Sequence, residues 1–306
     1  MKETVASAHN YSLSTNQLNA LGLQYNPFIT PTDVSLLFND SQQEMTTNII
    51  LKSLANDDKA ILLIAEQGSG KTTFLQKILH LTRVDVDQCA CRIGLGQTFQ
   101  EISNKIKQKW LLADENEAHA ELSIENHVIC YLQNHPKLLL VIDDADQLDL
   151  PSLAQLFQLK HRIEQTHPHA LGLLMTGNHE LKLEISRLEQ ANPSCSANYQ
   201  INIRPLNREQ THRYIKFRLS HAAVEKNTST DRLLDDRVLD TIYKSSQGNF
   251  DKIHAITIKV LATLEYPDID KPSHKSARLT TITIIGLVSI LAILTYYLAT
   301  QLGIAY

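Results

Sequence analysis

The feature that most constrains this chain is local. An apolar run, a glycine-rich turn and a helix-forming stretch follow one another without a gap. Residues 59–65 read KAILLIA, the turn continues Glu66-Gln67-Gly68-Ser69-Gly70-Lys71-Thr72-Thr73, and periodic apolar residues carry on to position 82. A short aliphatic run bounded by turn residues predicts a buried strand, and the periodic stretch predicts a helix over 72–82. A strand that passes straight into a helix through Gly-Ser-Gly points backbone N–H groups into the turn, at the positive end of the helix dipole. That is where an anion is held. Lys71 would reach the β- and γ-phosphates of a nucleotide, and the Thr72 hydroxyl would ligate Mg²⁺. Such turns usually open with glycine, and Ala65 stands there instead; alanine is small enough for the tight exit the strand needs. The expected nucleotide contacts are Glu66, Gln67, Gly68, Ser69, Gly70, Lys71, Thr72 and Thr73.

A second run, KLLLVI at 137–142, is the most apolar of the extended stretches before residue 270, and predicts a central strand of a parallel sheet. It delivers Asp143 and Asp144 at its C-terminal end, where α/β sheets carry their sites. Asp143 would join Thr72 in holding Mg²⁺, and Asp144 would activate an attacking water. Aspartate is one methylene shorter than the glutamate that often does this, and position matters steeply in phosphoryl transfer. A third strand at 170–175 (ALGLLM) runs into Thr176, Gly177 and Asn178. Thr176 and Asn178 are placed to sense a γ-phosphate, and Asn178 is assigned with Asp144 to catalysis.

Helices are expected at 40–54, with Asp40 or Ser41 as N-cap, and at 99–112, 123–134 and 151–165, with a further strand at 88–93. Strands and helices in alternation predict an α/β sheet with right-handed crossovers. Past about Leu206 the strand signals stop. Stretches 208–223, 236–246 and 251–264 read as helices, with Gly248 a natural stop for the middle one. Residues 1–20 are polar and carry no apolar run, so they read as a flexible lead-in without a secretory signal.

The chain is 43% hydrophobic but only 6% aromatic, so aliphatic side chains must fill its core. A net charge of −4 and a pI near 6.3 supply no general attraction to nucleic acid. The four cysteines, Cys89, Cys91, Cys130 and Cys195, do not form the paired spacing of a zinc site, and their sparse use fits a reducing compartment. The far end differs. No charged residue occurs from 279 to 306, and 279–299 reads LTTITIIGLVSILAILTYYLA. A spanning helix needs about 20 such residues. Lys271, Lys275 and Arg278 precede it, which places that flank and everything before it in the cytoplasm.

In this order the motifs resemble the AAA+ ATPases of the general secretion pathway protein A (ExeA) family and its pilus-biogenesis relatives. The likeness is carried by Asn26-Pro27-Phe28 with Leu37-Phe38, the phosphate loop, Ile142-Asp143-Asp144-Ala145-Asp146-Gln147-Leu148, and Gly177-Asn178-His179-Glu180-Leu181. Arg204-Pro205-Leu206 with Tyr214, Arg218 and Ala222, and Ser246-Gln247-Gly248-Asn249-Phe250, extend it to about residue 262. Two departures stand out. Asp251 and Lys252 occupy the place of a nucleotide-sensing arginine, and Arg187 and Arg204 are the only arginines where an arginine finger would lie.

The resemblance implies a P-loop AAA+ parallel-sheet core at 21–205, a small all-helical lid at 206–265, a basic linker at 266–278 and one transmembrane helix at 279–300. It implies a membrane-anchored, ATP- and Mg²⁺-binding protein of the bacterial inner membrane. Such a protein would work as a homo-oligomer with the envelope-assembly proteins of a secretion or pilus system, and hydrolyse ATP. A nucleotide-gated scaffold without hydrolysis is the alternative the departures favour. A DNA-linked ATPase of the transposition type is disfavoured by the charge and the apolar C-terminus, so nucleic acid is not an expected partner.

Overall fold

The computed structural model describes residues 12–28, 37–38, 40–56, 60–82, 86–111, 122–197, 199–224 and 233–264. The chain divides into two compact units: Asn39–Arg204, and Met1–Phe38 with Pro205–Tyr306. The expected linker at 266–278 and membrane helix at 279–300 lie outside the described residues. Among those described, no helix is long and apolar enough to cross a membrane.

The lead-in expected to be flexible holds a helix. Helix α1, Thr15–Leu21, opens on a capping box in which Ser14 and Gln17 exchange side-chain and backbone bonds, and closes on Gly22 in the left-handed region. Polar composition hid this, because the burial comes from a few apolar residues. Leu13, Leu21, Leu23 and Phe28 share a core with Leu206, Tyr214, Ile215, Leu219, Leu239 and Ile253. Residues 21–38, expected in the sheet domain, therefore belong to the helical unit.

In the Asn39–Arg204 unit the helices are α2 (Ser41–Asn56), α3 (Lys71–Leu81), α4 (Phe99–Lys109), α5 (Ile124–Leu132), α6 (Leu150–Thr166) and α7 (His179–Ala191). The strands are β1 (Ile61–Ile64), β2 (Asp87–Arg92), β3 (Leu138–Asp143), β4 (Leu171–Gly177) and β5 (Tyr199–Asn202). They form one sheet in the order β2-β3-β4-β1-β5, with every neighbouring pair parallel. The capping oxygen of α2 is that of Asp40, which accepts from the Gln43 N–H at 2.8 Å.

The pleat sorts the strand residues between two cores. Leu62 and Ile64 of β1, and Leu138, Leu140 and Ile142 of β3, face a cluster with α4 to α7. Ile61, Leu63, Leu139 and Val141 face the other way, against Ile50 of α2 and Phe74, Leu75 and Ile78 of α3. Both faces are covered, which is why these runs are continuously apolar rather than alternating. Each such aliphatic side chain contributes about 1.5–3 kcal/mol on burial.

The 137–142 run is an interior strand of the parallel sheet, as expected, and lies between β4 and the β2 edge. Strand β5 reads YQIN with alternating partial burial, and closes the opposite edge. So short and polar a strand has too little apolar periodicity to be seen in sequence. Helix α7 is likewise absent from the sequence-based expectations; it buries only Leu181 and Ile185.

The helical unit adds α8 (Arg208–Ala222), α9 (Asp236–Ser246) and α10 (Phe250–Thr263). Its capping residues are Asn207, Asp235 and Asn249, each accepting from a backbone N–H of the first turn. Arg218 donates from Nε to the Pro27 carbonyl at 2.5 Å, which ties the Asn-Pro-Phe segment to α8. Gly248 has φ +76°, and a Cβ there would collide with the Leu206 carbonyl oxygen. The backbone of Gly248 lies against Leu206, whose N–H donates to the Gly248 carbonyl at 3.0 Å. Glycine is needed here for both the sign of φ and the close approach.

Candidate functional site

The parallel sheet brings three strand ends into one line. Ile64 stands in register with Gly177, and Ile142 with Met175. The phosphate loop after β1, Thr176 near the end of β4 and Asp143 at the end of β3 are thus neighbours, with β4 in the middle. This is the C-terminal edge of the sheet, where such folds bind ligands.

Within the loop, Gly68 and Gly70 take φ +75° and +81°, and Gly70 is the residue from which α3 starts. Those left-handed positions bend the chain so that the loop wraps back over the first turn of α3. Lys71 is 9% exposed, and its Nζ donates to the carbonyls of Ala65 at 3.0 Å and Glu66 at 3.2 Å. Ala65 stands in the place of glycine, and its N–H donates to the Gly177 carbonyl of β4 at 3.0 Å. Glu66 and Gln67 are exposed, Ser69 is buried, and Gly68, Gly70, Thr72 and Thr73 are intermediate. The Ser69 hydroxyl is enclosed and has no hydrogen-bond partner among the described residues. A buried hydroxyl normally has a partner; an anion in the loop would supply one.

The acidic end of β3 is organised by hydroxyls. Thr72 Oγ1 donates to Asp143 Oδ2 at 2.7 Å. Thr176 Oγ1, fully buried, donates to Asp143 Oδ1 at 2.5 Å and accepts from the Asp144 N–H at 3.1 Å. Thr176 therefore links both aspartates to β4. Asp144 has φ 57° and ψ 42°, a left-handed conformation open to aspartate more than to most residues. Its carboxylate meets Arg92 at the end of β2, where Nε and Oδ2 are 3.3 Å apart. Burial and the adjacent Asp143 raise the Asp144 carboxyl above its usual range, against the opposing pull of Arg92.

Of the residues expected from sequence, the loop, Thr72, Asp143 and Asp144 come together at this edge. Thr176 is also there, as a brace between the acids. Asn178 is the N-cap of α7; its Oδ1 accepts from the N–H groups of Glu180 at 2.7 Å and Leu181 at 3.4 Å. Arg187 lies exposed on α7, where its charge acts on Glu184, and Arg204 is exposed after β5. Sequence reasoning misses Arg92. Nothing in its local sequence marks it; its importance depends on β2 lying beside β3 in a register that sets Arg92 opposite Asp143.

The donor set fits a small, hard cation. A hydroxyl and a carboxylate oxygen in contact at a helix N-terminus are oxygen ligands of the kind Mg²⁺ takes, alongside phosphate. All four cysteines are free, and Cys89, Cys91 and Cys195 are buried.

Residues 55–183 match the family model AAA_22, described as an AAA domain. Among solved structures, the chain is similar to Cdc6p from Pyrobaculum aerophilum, with 18% identity over 80% of this chain and 64% of that one, at a TM-score of 0.55. It is similar to the ORC2 protein of Aeropyrum pernix in its ADP form, with 14% identity over 78% and 65% and a TM-score of 0.54. In the ADPNP–ADP complexes of ORC2 the values are 14%, 71% and 60%, with a TM-score of 0.50. The chain thus spans a little under two thirds of the length of these proteins. At such identities the likeness is one of fold. No curated protein matches in sequence. Residues 55–183 are thus similar to an AAA domain over less than half of the chain, and the likeness to the solved structures is one of fold.

Proposed function

We propose that this protein binds ATP with Mg²⁺ at the loop Glu66–Thr73 and hydrolyses it, working as a homo-oligomer on the cytoplasmic face of the bacterial inner membrane. The observation that carries the nucleotide reading is the Thr72–Asp143 contact at 2.7 Å, which joins the phosphate loop to the acidic strand end. Lys71 would turn its ammonium group from the loop carbonyls to the phosphate oxygens, and the loop N–H groups and Ser69 would hold the remainder. Thr72 and Asp143 would hold Mg²⁺, which neutralises phosphate charge when bound. Asp144 would accept a hydrogen bond from the attacking water, and Asn178, at the start of α7, would present its amide toward the γ-phosphate. Asp144 has a raised proton affinity, the direction a general base requires.

A second reading is favoured by the Arg92–Asp144 pair. If that pair persists with nucleotide bound, Asp144 is unavailable to water and the protein is a nucleotide-gated scaffold. Phosphate release by the full chain, measured against Lys71→Ala, separates the two. A rate equal to that of the variant rules out hydrolysis, and nucleotide affinity equal to that of the variant rules out the site itself.

The membrane and envelope part rests on different support: the uncharged stretch at 279–299, its basic leading flank, and the motif series shared with the ExeA-like family. Removing residues 277–306 should release the protein from membranes. If it still sediments with them, the anchor is elsewhere.

A further inference from the structure

We infer that the free edge of β2 is a docking site for an extended, acidic peptide segment, which adds to the sheet as a further strand. Strand β2 ends the sheet and pairs only with β3 among the described residues. The ladder shows which way its backbone points. The N–H groups of Asp87 and Ile93 donate toward β3, to Lys137 at 3.1 Å and Asp143 at 2.9 Å. In a parallel strand alternate residues turn both N–H and C=O to the same side. Gln88, Ala90 and Arg92 therefore turn theirs outward. Among the described residues none of these three N–H groups has a backbone acceptor. Such a row is a ready template for another strand, and folds guard it with short length, lysine, proline, a bulge, an inward charge or a covering element. Within β2 the stretch Cys89-Ala90-Cys91 carries no proline and no charge, and the lysines at this edge come from α4.

The edge also lies in a groove. A space of about 730 Å³ runs along it, between Leu79 of α3 and Lys105, Gln108 and Lys109 of α4. Gln88 Nε2 donates to the Leu79 carbonyl at 3.0 Å, which fixes one wall to the strand. Ala90 is exposed, and its methyl group presents no obstacle. Lys105 and Lys109 are one helical turn apart, so their charges run along the groove. Asp87 also borders it, but its carboxylate meets the Tyr131 hydroxyl at 3.2 Å and His135 Nδ1 at 2.5 Å. The groove thus offers alternating backbone donors and acceptors beneath two cations, which fits a polypeptide strand with acidic side chains. Single-stranded nucleic acid would also meet the cations. It would need aromatic faces for its bases, and none of the residues bordering the groove is aromatic.

The test uses the full chain and a fluorescein-labelled peptide of alternating glutamate and valine, about the length of β2, followed by fluorescence polarisation. Saturable binding is expected, at least about tenfold tighter than for the lysine–valine counterpart. Ala90→Pro removes one outward N–H and leaves the β3 ladder intact, since proline is tolerated on an edge whose N–H faces out. It should weaken binding roughly tenfold, and so should Lys105→Glu with Lys109→Glu. If Ala90→Pro unfolds the protein, a peptide N-methylated at alternate amides makes the same test from the ligand side and should fail to bind. Absence of saturable binding, equal affinity for the lysine peptide, or undiminished binding of the N-methylated peptide would each overturn the proposal.

Discussion

Replacing Thr176 by valine tests whether the acidic turn is held from β4. The substitution keeps the branched shape of a fully buried side chain and removes only its hydroxyl. Two hydrogen bonds go with it: the one donated to Asp143 at 2.5 Å and the one accepted from the Asp144 N–H at 3.1 Å. A bond to an ionised carboxylate contributes about 1.5–3 kcal/mol and a neutral one about 0.5–1.5 kcal/mol. The N–H of Asp144 and one oxygen of Asp143 are left facing a methyl group. The expected loss is roughly 2–4 kcal/mol, or a fall of roughly 5–10 °C in Tm for a domain of this size. Thr176→Ser, which keeps the hydroxyl, should lose far less. Differential scanning calorimetry of the three proteins, with and without Mg-ATP, reads this directly. The nucleotide-induced rise in Tm should also shrink in Thr176→Val, because Asp143 is no longer pinned beside Thr72. If the valine variant melts within a degree or so of the parent and keeps the full nucleotide shift, Thr176 is a passive core residue and does not brace the two acids.

Other outcomes follow from the same structure. Gly248→Ala should destabilise the helical unit by at least about 2 kcal/mol, since it meets both a positive φ and a clash of the new Cβ with the Leu206 carbonyl; urea unfolding checks it. Asp144→Asn should raise stability at neutral pH. A carboxyl whose folded pKa is raised by burial and by Asp143 loses stability as pH rises through that value, so the difference from the parent should close on acidification through the range just above 3.8. His254 behaves in the opposite sense. Burial, then Arg218, lowers its pKa from 6.5 to about 3, so its contribution is present above pH 6.5 and is lost as pH falls toward 3. A His254→Gln variant should flatten that part of the pH–stability curve; an unchanged slope would place the titrating group elsewhere. Asn178→Ala should cost about 1 kcal/mol through loss of the α7 cap, and a larger drop in phosphate release than in Tm would show a second role at the nucleotide.

The loop at 65–73 and the Asp143–Asp144 pair are legible in the sequence because their signals are local. A glycine turn between an aliphatic run and a helix can be read from adjacent residues, and so can acids at the end of KLLLVI. Arg92 is not legible, because its meaning depends on a strand that lies beside it only after folding. Thr176 stands where its sequence position puts it, at the end of a strand, but it acts as a brace between two acids. That role needs β4 to lie between β1 and β3, which its neighbours in sequence do not specify. The order of strands is decided by which crossovers can cover both faces of the sheet at once, and no window of residues contains that. The N-terminal helix escapes the sequence reading for a related reason. Four apolar residues in a polar stretch carry little periodicity, yet in the fold they complete a core whose other half lies about 200 residues away.

What the sequence by itself determined is therefore the local pattern: a glycine turn, a lysine, a hydroxyl and two acids, on an alternating α/β frame followed by helices. Only the tertiary structure decided how those groups are coupled. It set β4 in the middle, so that Thr176 bonds both aspartates. It turned Asp144 through the left-handed region onto Arg92, and it set β2 at the end of the sheet beside Lys105 and Lys109. Residue types and short-range periodicity are carried by the chain itself. Register between strands far apart in sequence is settled by burying both faces of one sheet at the same time.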